Sequence, residues 1–314
     1  MKKIFFALFA VLAMVSCSNE EVIEVNREQI AFGEIFVDNA TRADYSSGET
    51  VDAFKVYGTV QTSVATTPTQ IFNGADVERN DKANGVAWDC NGTAQYWLPS
   101  STYNFAAIVD GEAVATSTLP ATINHAVADG AANKDLLYAT ATITTNANAV
   151  PNNVNTNGVV AFDFSHLLSK LQFNIVNATN QNYKVTSISV SGVAQDGIYT
   201  VDGGTWAKNG NATTTLTFVT DPVDVAGSAT VEVSEARQLL PVPVAQTLNV
   251  TITYDVYDNK GNKSGTLTKT GTITETFVKN TVYAVTLTIS GSAINFSFKT
   301  VSGWTEVGDN NITI

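Results

Sequence analysis

The chain has 314 residues, a net charge of −12 and 15% charged residues. That length allows two ordinary domains, each burying its own core. The acidic balance, with no basic stripe to neutralise phosphates, excludes nucleic acid as a partner. Two cysteines exclude a disulfide framework, so packing has to supply the stability.

Lys2 and Lys3 precede an unbroken apolar run from Ile4 to Val15. The run is short for a bilayer span and suits the core of a signal peptide. It ends in MVSC, with small Ser16 before Cys17, the pattern of a bacterial lipobox, although Met14 stands where Leu is usual. Residues 1–16 are therefore expected to be a lipoprotein signal and Cys17 to carry acyl chains such as palmitate. Three such chains would make attachment to the membrane effectively permanent.

Next comes a strand-like run from Ile30 to Val37, in which Ile30, Phe32 and Phe36 are expected to fill one face of a sheet. A Thr- and Ser-rich loop, NATRADYSSG, follows and holds Arg42 before small Ala43. From Val51 onward, Thr, Val, Ile and aromatic residues dominate, with an apolar period of two. Phe54, Val56 and Val60 oppose Lys55, Tyr57 and Thr59, and Tyr103, Phe105, Ala107 and Val109 repeat the pattern. Clean alternation means one buried and one wet face, as in antiparallel sheets.

The stretch 144–158, TTNANAVPNNVNTNG, reads as a linker. It puts a domain boundary between 157 and 158, giving an N-terminal β-sandwich of residues 43–157 and a C-terminal one of 158–314. Just after it, Ser165 is expected to cap a short helical turn from His166 to Lys170 before strand alternation resumes. Val250, Ile252, Tyr254 and Val256 form a further strand, and DNKGNKSG (Asp258 to Gly265) reads as its hairpin loop. That loop lacks the spaced carboxylates of a calcium site. The last runs are Tyr283 to Ile289, Ile294/Phe296/Phe298, and Ile312/Ile314 at the end of the chain.

No catalytic constellation is visible. His125 and His166 are the only histidines, and no Cys/His or His/Glu spacing supports a metal. There is no nucleophile elbow, phosphate loop or dinucleotide fingerprint. Nothing favours any one carboxylate pair for glycoside hydrolysis. Cys90 reads as a small residue near a turn and His166 as a structural hydrogen-bonder. The expectation is a non-enzyme without cofactor or metal.

Several stretches, in order, resemble the fimbrillin family, the subunits of the type V pili of Bacteroidales. They are the lipobox at Cys17, YWLPSSTYNFAAIVDG (Tyr96 to Gly111), DLLYA (Asp135 to Ala139) and FSHLLSKLQFNI (Phe164 to Ile175). LLPVPVAQTLNVTITY (Leu239 to Tyr254) and the closing run from Asn280 to Glu306 complete the set. The resemblance implies an all-β fold of two tandem transthyretin-like β-sandwich domains. It implies export as a lipoprotein to the outer membrane, where the acidic SNEE after Cys17 resembles a surface-export signal. It further implies cleavage by an Arg-specific protease after Arg42, removing the propeptide 17–42, and a groove that accepts a strand from another fimbrial subunit. The donor is then the C-terminal stretch carrying Ile294, Phe296, Phe298, Ile312 and Ile314.

A second reading is a monomeric surface lipoprotein adhesin for a host glycoprotein or glycan, in which Trp88, Trp97, Trp206 and Trp304 would stack on sugars. A third is a tip or anchor subunit of the same pilus.

Overall fold

The computed structural model describes residues 28–37, 40–41, 51–80, 87–113, 118–154, 158–233, 235–290, 293–302 and 312–313. The described chain is all β apart from one short 3-10 turn, Gly130–Ala132. Alternation sets this outcome: in Ser169–Asn177 every second side chain, from Ser169 through Leu171, Phe173 and Ile175 to Asn177, is buried. Four sheets result.

The first sheet has nine strands. Its order runs Ala40–Thr41, Phe32–Val37, Val160–His166, Leu137–Thr145, Ser101–Val109, Ala53–Thr62, Thr69–Asn80 and Ala87–Cys90, with Pro151–Asn152 folded back on Leu137–Thr145. The path curls over itself, because strands far apart along it meet through their rings. Phe54 packs edge-on to Phe162 at 5.6 Å and to Phe164 at 5.8 Å.

The second core lies between two sheets. A six-stranded sheet runs Thr230–Glu232, Ser169–Asn177, Thr281–Ser290, Ala293–Ser302 and Ile312–Thr313, with Arg237–Leu239 also on Ser169–Asn177. A five-stranded sheet runs Thr213–Thr217, Tyr183–Ala194, Gln246–Tyr257 and Lys263–Glu275, with Val223–Val225 on Tyr183–Ala194. Leu171, Phe173 and Ile175 from one face Ile188, Val190 and Ile252 from the other in a single cluster. Phe173 meets Phe218 edge-on at 4.7 Å. Gly192 sits at a bulge in Tyr183–Ala194 with φ +85°, where a Cβ would lie 2.9 Å from the Thr247 carbonyl oxygen.

A four-stranded sheet stitches the halves together: Glu112–Ala113 and Thr122–Ala126 from the first half pair with Asp196–Thr200 and Thr205–Lys208 from the second. Its Ile123, Tyr199 and Trp206 join the second core, as do Tyr57, Ala106, Ile108 and Leu136 from the first half.

Just past the expected 157/158 boundary core membership changes within one run: Val160, Phe162 and Phe164 belong to the first core and Leu167, Leu168 and Leu171 to the second. Alternation continues past the Asn-rich stretch, and the core residues follow it. The stretch is itself partly ordered, as Pro151–Asn152 pairs with Thr144 and Thr145 and the Asn146 side chain accepts from the amides of Asn148 and Val150. No helical turn follows Ser165. His166 ends a strand, the Leu167 amide bonds to the Leu136 carbonyl, and Ser169 begins the next strand. Tertiary pairing outweighs the local capping preference there.

The Asp258 to Gly265 hairpin is present, with the Asp258 carboxylate accepting from the amides of Lys260 and Asn262. That local bonding holds the Asp258 carboxyl below its usual range, Asn262 contributing most.

Both histidines are buried near the seam. His166 Nδ1 bonds to the buried carboxylate of Asp135. His125, on the stitching sheet, meets the Asp110 carbonyl through Nδ1 at 3.1 Å, and burial lowers its pKa from the ordinary 6.5. An unfolded chain therefore takes up a proton at His125 as pH falls through about 6.5, while the folded chain resists it. This share of stability is full above that pH and is lost on acidification. Thermal melts between pH 7 and pH 5 should show a fall in Tm that is shallower in His125→Gln.

Candidate functional site

The site is the groove that the first strand fills. Ile30 and Phe32 are each 3% exposed, so both are core residues of a segment close to the start of the described chain. The backbone of this segment is held on two sides. The Ile30 amide donates to the Gln95 carbonyl at 2.8 Å and the Trp97 amide to the Glu28 carbonyl at 3.1 Å. Further on, Phe32–Val37 runs parallel to Val160–His166, and its end turns back into Ala40–Thr41.

Phe32 is the centre of an aromatic nest. Its ring is edge-on to Phe72 at 5.3 Å and to Phe105 at 5.5 Å, and stacks on Phe162 at 5.9 Å. Each such pair adds about 0.5–1.5 kcal/mol beyond the area buried. Gly58 makes room for this nest, since a Cβ there would lie 2.8 Å from the Phe105 ring and 3.0 Å from Phe72. Trp97 closes one end, fully buried and edge-on to Tyr103 at 4.8 Å.

Strict alternation would put Phe36 with Ile30 and Phe32. The structure swaps the faces instead. The pairing with Val160–His166 is irregular between Phe32 and Ile35, and beyond that point Val37 is buried while Phe36 is half-buried. A one-residue irregularity reverses every later side chain, because the period along a strand is two. The sequence reading also missed the residues that line the groove, Phe72, Phe105, Phe162 and Gly58. A glycine in the middle of FKVYGTV was the available signal for a close approach.

The other expected site residues divide by position. Cys17, Arg42, Ala43 and Ile314 lie outside the described residues; Thr41, the residue before Arg42, ends the short return strand. In the C-terminal stretch, Ile294, Phe296 and Phe298 pair with Ile289, Leu287 and Val285, and Ile312 pairs in turn with Phe298. Ile294 packs against the second core. The C-terminal strands thus complete their own sheet.

Among the described residues the tryptophans do not form a sugar platform. Trp97 and Trp206 are buried, Trp206 donating to the Leu167 carbonyl at 2.8 Å, and half-buried Trp88 packs against Phe54 at 5.5 Å. Trp304 lies outside the described residues. Burial raises the pKa of the half-buried Cys90 thiol, which keeps it in its less reactive form. Among the described residues no group of three or more His, Cys, Asp or Glu is placed to hold a metal ion.

A sequence profile of the fimbrillin-like family matches residues 41–304. The chain belongs to that family. Membership assigns a fimbrial, non-enzymatic role at the cell surface, in association with other fimbrial subunits. No curated relative matches the chain. Two solved structures are similar in fold. A proposed cell adhesion protein from Bacteroides uniformis is 19% identical, with 88% of this chain and 98% of that one covered and a TM-score of 0.50. Another from Bacteroides ovatus is 18% identical, with 90% and 99% covered and a TM-score of 0.53. At such identities the likeness concerns the fold alone.

The groove geometry gives a direct expectation for this fimbrillin-like chain. Phe32→Ala should cost about 3–5 kcal/mol, as for a large core aromatic. Phe36→Ala should cost about 1 kcal/mol or less. Urea denaturation of the two variants checks the face reversal, since strict alternation would make their losses alike.

Proposed function

We propose that this chain is a polymerising fimbrial subunit whose first strand is a removable plug. It is exported as a lipoprotein on Cys17, cut after Arg42 by an Arg-specific protease, and joined to its neighbours by donor-strand exchange. The observation that carries this reading is the burial of Ile30 and Phe32 in the aromatic nest by a strand that leads directly to the Arg42 loop.

Loss of residues 17–42 would leave the Phe72, Phe105 and Phe162 rings uncovered and the Val160–His166 edge unpaired. Such an edge draws in another strand, with main-chain hydrogen bonds for affinity and alternate side chains for register. Each large apolar side chain that enters gains roughly 1.5–3 kcal/mol, so occupant and plug have comparable worth. Cutting changes the competition by making the plug a separate molecule.

The donor in this reading is the C-terminal stretch from Ile294 to Ile314. Ile312–Thr313 pairs with Ser297 and Phe298. In this reading it leaves those two ladder positions to enter a neighbour's groove with Ile312 and Ile314 in place of Ile30 and Phe32. The buried positions of Trp97 and Trp206 weigh against the sugar-stacking adhesin as the alternative.

Arg42→Ala should form no filaments and stay lipid-anchored, whereas wild type treated with an Arg-specific protease should acquire Ala43 as its amino terminus and polymerise. Amino-terminal sequencing and electron microscopy read the two steps separately. Equal polymerisation by Arg42→Ala would overturn the activation scheme. Deleting Asn311 to Ile314 should leave cleavage intact and stop filament extension; filaments of normal length would move the donor elsewhere.

A further inference from the structure

Lys263–Glu275, 13 residues long, closes one end of the five-stranded sheet. Gln246–Tyr257 pairs along one side of it, and among the described residues no strand pairs with the other. At about 3.4 Å per residue the open edge extends roughly 44 Å. Proteins usually blunt such an edge with proline, a bulge, short length or repelling charge. This strand contains no proline, and the one irregularity in its pairing lies beside the hairpin turn, between Val256 and Tyr257.

Its charges are also of both signs. Lys269 and Glu275 stand six residues apart and so share a face of the strand, whereas the irregularity beside the turn places Lys263 on the other, where its Nζ lies 2.8 Å from the Asp255 carboxylate. That other face carries Thr266, Thr268, Thr270, Thr272 and Thr274, all exposed. A chain with a net charge of −12 repels its own copies, yet the Asp255 carboxylate on this hydroxyl face is already matched by Lys263 and by the Thr266 hydroxyl.

We infer that this edge pairs with the same edge of a second copy, antiparallel, about a two-fold axis through Thr272. In that register Lys269 of each copy stands opposite Glu275 of the other, Thr270 opposite Thr274, and Gly271 opposite Ile273. Opposite charges and threonine pairs directly across a ladder are stabilising, and like charges are not. An axis at Lys269 would set lysine against lysine. The charge pattern therefore selects one register.

The pairing is isologous and closes on itself, so it forms pairs rather than chains. It lies in the second core, away from the groove of the first strand, and does not compete with head-to-tail assembly. On a filament the same edge recurs at every subunit, and a weak side-by-side contact repeated along two filaments gains strength through avidity.

The test uses full-length chain in which Cys17 and Cys90 are replaced by Ser, with one cysteine introduced. Thr272→Cys should form a disulfide-linked dimer under mild oxidation. Thr274→Cys, also exposed on the same face, should link at least about tenfold more slowly, because its two copies stand four residues apart along the ladder. In a cysteine-free background, Lys269→Glu should weaken dimerisation about tenfold in sedimentation, and adding Glu275→Lys should restore it. Equal cross-linking at the two positions, or failure of the charge swap to restore association, overturns the register. A monomer at all concentrations, with the circular dichroism of the folded chain, overturns the pairing.

Discussion

The fold rests on the alternation of buried and wet side chains, and at one place that alternation is completed by a segment from far outside the local sequence. Phe32 fills a space bounded by Phe72, Phe105 and Phe162, residues that come from three separate strands of the same curled sheet. Gly58 leaves room for two of those rings to meet it. Without an aromatic side chain at this point, the rings of the first core would face water. The importance of this strand follows from that dependence: it is structurally central although its ladder partner, Val160–His166, is far away in sequence.

The second core has no such dependence on an early segment. Its two sheets face each other over Leu171, Phe173, Ile188 and Ile252, and its members also include Tyr57, Ala106 and Ile108 from the first half. The stitching sheet and the buried His166–Asp135 bond lie where one core gives way to the other. A change in the first groove is consequently made against a body tied into the second by both backbone pairing and shared packing.

Assembly of such a subunit is a matter of which backbone edges stay open. The proposed groove is an edge that processing opens, and the Lys263–Glu275 strand is one that the described fold leaves open from the start. The two differ in side chains. The groove offers deep aromatic pockets and so selects an apolar strand, whereas the second edge offers alternating threonine and opposite charges and so selects itself.

Much of this architecture is legible in the residues alone. Alternation in Tyr103 to Val109 and in Leu171 to Ile175 dictates the all-β class, because a period of two leaves no other way to bury one face. The Asp258 hairpin is readable from its turn residues, and the ordered set of short stretches points to the family. Other features come from contacts across the fold. The reversal that buries Val37 in place of Phe36 depends on a ladder with Val160–His166, more than a hundred residues away in sequence. The assignment of Phe162 and Phe164 to the first core, and the joining of Thr122–Ala126 to Asp196–Thr200, are likewise long-range. Sequence by itself determined which residues want to be buried and with what period. Only the tertiary structure decided which strand each would meet, because backbone hydrogen bonds are identical from residue to residue and the choice among partners is made by the side chains that fit together after the chain has closed.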